Sequence, residues 1–133
     1  MERYYLDTSI WLDFFEKRGK NSEIARKLIE KIIDNNILII FSNLNILELR
    51  NLGYSFDEIS NMISILKDRI RRAYISNEEK ELAKKIALKK NIPEGDVLHA
   101  VLARNNEAIL ISNDLHFVKI KDIIEVRNPE EII

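Results

Sequence analysis

The chain has 133 residues, 46% of them hydrophobic and 32% charged, with a net charge of −1 at pH 7. That balance suits one domain over residues 1–133 with a sizeable core and excludes a disordered chain. The lack of cysteine excludes disulfides and thiolate metal sites, no apolar run approaches the roughly 18 residues that span a bilayer, and the net charge does not advertise a nucleic-acid binder.

The first residues run straight into Arg3-Tyr4-Tyr5-Leu6-Asp7 without a signal-peptide pattern, so a cytoplasmic location is the expectation. Residues 3–7 read as a short buried strand. Ile10-Trp11-Leu12 with Phe14-Phe15 predict a short helix, broken at Gly19-Lys20-Asn21. Apolar positions at Ile24, Leu28, Ile32 and Ile33 predict an amphipathic helix over 22–34, ended by Asn35-Asn36. The continuous run Ile37-Leu38-Ile39-Ile40-Phe41 predicts a central strand covered on both faces. Ser42-Asn43 offers a cap for a helix from Leu44 to Leu52, closed by Gly53. Ser55-Phe56-Asp57-Glu58 is a capping-box pattern, and Ile59, Ile63, Leu66 and Ile70 continue a helical stripe. A strand is expected over Arg72–Ile75. A second capping box, Ser76-Asn77-Glu78-Glu79, opens a helix to about Lys90. Asn91-Ile92-Pro93-Glu94-Gly95 interrupts the pattern before Asp96 starts a helix through Ala103. Strands are expected over Ala108–Ile111 and Ile123–Val126, with Asn128-Pro129 capping a last turn. Strands alternating with helices predict an α/β fold with a mainly parallel sheet.

Two acids stand at the ends of strand-like runs, where parallel sheets bind ligands: Asp7 directly after Tyr4-Tyr5-Leu6, and Asp114 after Ala108–Ile111 and Ser112-Asn113. Glu48 and Asp96 fall within or at the start of largely apolar helices. Taken singly, Asp7 and Asp114 read as helix caps, Asp96 as a charge at a helix dipole, and Glu48 as a solvated residue. Taken together, four carboxylates near the core repel one another unless a divalent cation neutralises them, which points to Mg²⁺ or Mn²⁺ and to phosphate chemistry. Asp13, His99 and His116 read as packing or surface residues. No HExxH or His/Cys spacing for zinc exists.

Tyr5-Leu6-Asp7-Thr8-Ser9, Leu47-Glu48-Leu49, Gly95-Asp96-Val97-Leu98-His99-Ala100 and Ser112-Asn113-Asp114-Leu115-His116-Phe117 resemble, in order, the four acidic motifs of the PIN-domain nucleases. The resemblance covers nearly the whole chain. The length and the ending Arg127-Asn128-Pro129-Glu130-Glu131 are similar to small single-domain PIN proteins of the VapC toxin type. The resemblance implies a Rossmann-like three-layer α/β/α sandwich and a Mg²⁺- or Mn²⁺-dependent endoribonuclease. It further implies a homodimer and, for a toxin, a cognate antitoxin. One departure is Arg50-Asn51-Leu52-Gly53-Tyr54, which is short and polar and does not choose a substrate.

On this reading Asp7, Asp96 and Asp114 hold the cation directly or through water, and Glu48 completes the cage or orients a bound water. Thr8 or Ser9 bonds a carboxylate or phosphate oxygen, and Asn113 supports the ligands from behind. Lys67, Arg69, Arg71 and Arg72 offer phosphate contacts to RNA, or a solvated helix face. Trp11, Phe14 and Phe15 read as core, with base stacking or a dimer surface as the lesser alternative. Two other readings compete: a non-cutting module of the same fold that binds RNA or protein, and housekeeping RNA processing. A phosphoryl-transfer domain fits poorly, because Ser9 stands where a phosphatase needs a second Asp.

Overall fold

The computed structural model describes residues 2–17 and 19–133. Among them, five strands form one parallel sheet: β1 (Arg3–Leu6), β2 (Leu38–Ser42), β3 (Ile70–Ala73), β4 (Ile109–Ile111) and β5 (Val126–Arg127). The order across the sheet is β3-β2-β1-β4-β5. The helices are α1 (Thr8–Glu16), α2 (Gly19–Asp34), α3 (Asn43–Asn51), α4 (Phe56–Ile63), α5 (Asn77–Lys90) and α6 (Glu94–Asn105).

Period-2 alternation divides the apolar strands between two cores. Tyr4, Leu6, Ile39, Phe41 and Ile111 pack with α1, α2, Leu49 of α3, and α4. Tyr5, Ile40 and Leu110 face the other way, onto α5 and α6. Three layers follow: helices, sheet, helices. Both faces are covered, which is why the strands read as unbroken apolar runs.

The chain winds from β1 outward to β2 and β3, then returns past β1 to begin β4 on its other side. β1 is paired with both neighbours, Tyr5↔Ile40 on one side and Tyr5↔Leu110 on the other. The carboxyl ends of β1 and β4 therefore flank a topological switch point, where the flanking connections leave in opposite directions and open a crevice.

Element boundaries differ from the sequence reading in several places; α6, for one, begins at Glu94 rather than Asp96. α2 begins at Gly19 rather than Ser22. The stripe Ile59–Ile70 does not continue α4. It passes into a 3₁₀ segment, Ser64–Arg69, where Leu66 is non-helical at φ −112°, ψ 16° yet buried. The spacing of 4, 3 and 4 has the α-helical period, but Leu66 is buried here from the 3₁₀ segment and Ile70 begins β3. β3 starts earlier, at Ile70, and β5 is later and shorter, at Val126–Arg127. Ile123 and Ile124 instead make turn bonds to the Ile120 carbonyl, at 2.9 and 3.3 Å. The stops at Asn36 and Asn91 hold, each with φ near 54°, a left-handed conformation that Asn tolerates. Gly53, at φ +100°, turns the chain out of α3 toward the capping box of α4.

Candidate metal centre

Four acids reach the crevice from four elements. Asp7 follows β1, and its amide donates to the Ile111 carbonyl at 3.0 Å, tying the ends of β1 and β4 together. It is the N-cap residue of α1 by position, but its side chain makes no cap bond. Glu48 projects from α3, Asp96 from the first turn of α6, and Asp114 from the end of the β4 connection. All four line one open pocket of about 610 Å³, with Thr8, Ser9 and Asn113 beside them and Leu12, Asn51 and Leu52 as a further wall.

Each carboxylate has one oxygen engaged. Asp7 Oδ2 accepts from Ser112 Oγ at 2.8 Å and from Ser9 Oγ at 3.3 Å. Glu48 Oε1 accepts from Thr8 Oγ1 at 2.6 Å and lies 2.7 Å from His99 Nε2. Asp96 Oδ2 lies 3.0 Å from His116 Nδ1. Asp114 Oδ1 accepts the His116 amide at 2.9 Å, so the cap reading holds for this acid. Among the described residues, the second oxygen of each (Asp7 Oδ1, Glu48 Oε2, Asp96 Oδ1, Asp114 Oδ2) takes no hydrogen bond from the protein.

The histidines are where the sequence reading needs correcting. The ion pairs of these four acids, among the described residues, are all to His99 or His116. His99 is buried, but as part of the site rather than as packing alone. Asp96 and His99 are three residues apart on α6, so both point to the same end of the sheet. That spacing was the available signal. Ser112 and Tyr5 were also passed over; their roles depend on contacts far apart in sequence.

Electrostatics split the acids. For Glu48, desolvation works to raise the pKa, but hydrogen bonds from His99 and Thr8 and the His99 charge outweigh it and hold it below the ordinary value. Asp96 is raised, first by desolvation and then by the charges of Asp114 and Asp7, against the opposing bond from His116. Carboxylates in mutual repulsion with unpaired oxygens suit a hard divalent cation, which selects oxygen ligands. Two sets of donor atoms, Asp7/Glu48/His99 and Asp96/Asp114/His116, each lie within 4.8 Å of one another. The donor chemistry therefore fits a divalent cation.

The basic side chains lie outside this pocket. Arg72 and Arg71 are on β3 at the sheet edge, where Arg72 donates to Asn43 Oδ1 at 2.6 Å. Arg69 is partly buried and donates to the Ile33 carbonyl, and Lys67 is exposed on the 3₁₀ segment.

A family model described as the PIN domain matches residues 4–123. The chain belongs to the PIN-domain family. The solved structures similar to this PIN domain include VapBC-1 of nontypeable Haemophilus influenzae, 23% identical, with a TM-score of 0.68 over 96% of this chain and 98% of that one. Another is VapBC2 of Rickettsia felis bound to a DNA fragment from its promoter, 21% identical, with a TM-score of 0.69 over 95% and 98%. A third is Mycobacterium tuberculosis VapC20, a sarcin-ricin-loop-cleaving toxin, 16% identical, with a TM-score of 0.70 over 93% and 98%. At these identities the likeness establishes a shared fold. No curated protein matches the chain.

Proposed function

We propose that this PIN domain is a divalent-metal-dependent endoribonuclease that hydrolyses RNA phosphodiester bonds, acting as the toxin of a VapBC-type pair. The observation that carries the reading is the set of four carboxylates lining one pocket at the switch point, each with an oxygen that takes no hydrogen bond among the described residues. Membership of the PIN family supports it, and so do the folds shared with VapBC complexes and with a toxin that cleaves the sarcin-ricin loop.

Asp7, Asp96 and Asp114 are assigned as the ligands of Mg²⁺ or Mn²⁺, with Glu48 closing the cage. A bound divalent cation supplies Lewis-acid charge to the phosphate and a water of lowered pKa. The protein does the positioning. Ser112 and Ser9 fix Asp7, Thr8 fixes Glu48, and Asn113 stands at the rim beside Asp114, where an incoming phosphate passes. Lys67, Arg71 and Arg72 serve the RNA backbone at the edge of the molecule, while Arg69 is committed to the end of α2. The partners in this reading are an RNA substrate, a second copy of the chain and a cognate antitoxin, in the cytoplasm.

Asp7→Asn and Asp114→Asn should each reduce Mn²⁺-supported RNA cleavage by roughly a hundredfold or more, since even outer-shell changes at metal sites cost about 10–100-fold. Cleavage at the wild-type rate in both variants would sink the assignment. A wild-type protein that binds RNA and never cuts it, with either metal, marks a binding module instead. Growth arrest on induction, relieved by Asp7→Ala, separates a toxin from a processing enzyme.

A further inference from the structure

A buried hydrogen-bonded chain runs from the sheet core into the pocket. Ser42, Tyr5 and His99 are each at most 1% exposed. Ser42 Oγ is 2.5 Å from the Tyr5 hydroxyl, and that hydroxyl is 2.7 Å from His99 Nδ1. On the other side of the ring, Nε2 is 2.7 Å from Glu48 Oε1 and 3.9 Å from Asp7 Oδ1. The Tyr5 and His99 rings meet edge to face, 5.4 Å apart at 72°.

The direction of one of these bonds follows from the groups. A carboxylate only accepts, so Nε2 donates to Glu48. On the other edge of the ring, Nδ1 bonds the Tyr5 hydroxyl. Tyr5, buried among other groups, remains a phenol, its pKa raised well above the ordinary value by desolvation. Ser42 Oγ meets the Tyr5 hydroxyl and also donates to Asn45 Oδ1 at 3.1 Å, which ties this end of the chain to α3. Both ring nitrogens are occupied, so the ring cannot rotate without breaking a bond at each end.

The consequence falls on Glu48. Its Oε1 is held from one side by His99 and from another by Thr8, whose hydroxyl accepts from Asn45 Nδ2 at 2.9 Å. Asn45 is itself buried and reaches the Leu6 carbonyl. Fixing Oε1 leaves Oε2 as the free oxygen, beside Gly95, where a Cβ would come within 3.7 Å of it. Glu48 is otherwise a flexible side chain on the rim of an open pocket.

We propose that His99 is a positioning residue: through Tyr5 it is locked to the sheet, and through Nε2 it sets the one Glu48 conformation that turns Oε2 toward the cation. The inference rests on the metal-centre reading of the pocket. It assigns His99 no contact with substrate and no proton transfer.

The test is Mn²⁺ binding to the full chain, followed by electron paramagnetic resonance, so that it does not depend on cleavage. Gln at 99 carries an amide about as far out as Nε2 and can still donate to Glu48. Asn reaches only about as far as Nδ1 and serves Tyr5 alone. His99→Asn should weaken Mn²⁺ binding by about tenfold or more, the usual effect of losing an outer-shell partner, whereas His99→Gln should stay within about threefold of wild type. Tyr5→Phe, which removes one of the two anchors, should fall between them. Urea unfolding of the two His99 variants should show similar losses of stability, so that stability does not explain the difference. Equal weakening by Asn and Gln would reduce His99 to a structural residue and overturn the proposal, as would wild-type affinity in both. A wild-type chain without saturable Mn²⁺ binding overturns the metal-centre reading and this proposal with it.

Discussion

Asp96 carries an electrostatic penalty whenever it is ionised without a cation. Desolvation raises its pKa, and the charges of Asp114 and Asp7 add to this, against the lowering bond from His116. A carboxyl group whose pKa is raised by folding favours the fold while it is protonated, and that contribution is lost as pH rises through its folded value. At neutral pH the cation-free protein therefore bears the cost. Asp96→Asn should stabilise the metal-free chain by about 0.5–2 kcal/mol at pH 7, the range of common stabilising substitutions. The gain should fade below the ordinary Asp pKa of about 3.9, where wild type is protonated too. Thermal melts in chelator at pH 7 and pH 3.5 measure both. A variant less stable than wild type at pH 7 would count against the repulsion. Glu48 has the opposite sign: its pKa is lowered, so its contribution is present above the ordinary Glu range and is lost as pH falls through the folded value.

Helix starts are where single residues control whole elements. Ser42 and Ser76 both head capping boxes, accepting from the amides of Asn45 and Glu79 at 3.2 and 3.1 Å. Ser76 is solvent-exposed and remote from the pocket, so Ser76→Ala should cost about 1 kcal/mol in urea unfolding and leave RNA cleavage intact. Ser42 is buried and also bonds the Tyr5 hydroxyl, so Ser42→Ala should cost about 1–3 kcal/mol more, by stranding a buried polar group. Equal losses would mean that the Tyr5 bond adds nothing. The same elements explain what the sequence could reveal. The strands β1, β2 and β4 were legible because burial on both faces leaves unbroken apolar runs, and the capping boxes because their partners are three residues apart. β5 was misplaced because Ile123 and Ile124 are apolar for packing, not for pairing. Asp7 and Asp114 stood out after strands and Asp96 near a helix start, whereas Glu48, in the second half of α3, had no such position to mark it. The histidine links were not legible: His99 meets Glu48 across 51 residues and Tyr5 across 94, separations that leave no periodic trace.

At the scale of the molecule, winding order and charge act on the same place. The return of the chain past β1 opens the crevice, and α3, α6 and the β4 connection deliver acids into it from separate elements. Those elements are held near one another against the repulsion of their own side chains. A ligand that binds the folded state and not the unfolded chain stabilises it by mass action, by about 2.7 kcal/mol at a hundred times its Kd. For a domain of this size that is a Tm rise of about 10 °C. Mn²⁺ at saturating concentration should produce it, and NaCl at matched ionic strength should produce much less, because screening weakens the repulsion without replacing it by direct coordination. The doubly substituted Asp7→Asn, Asp96→Asn chain should show little rise in either salt, since it removes most of the repulsion and two ligands together. Calorimetry of wild type and the double variant in the two salts separates coordination from screening. Identical rises with Mn²⁺ and NaCl in the wild type would mean that the pocket is acidic but is not a metal centre.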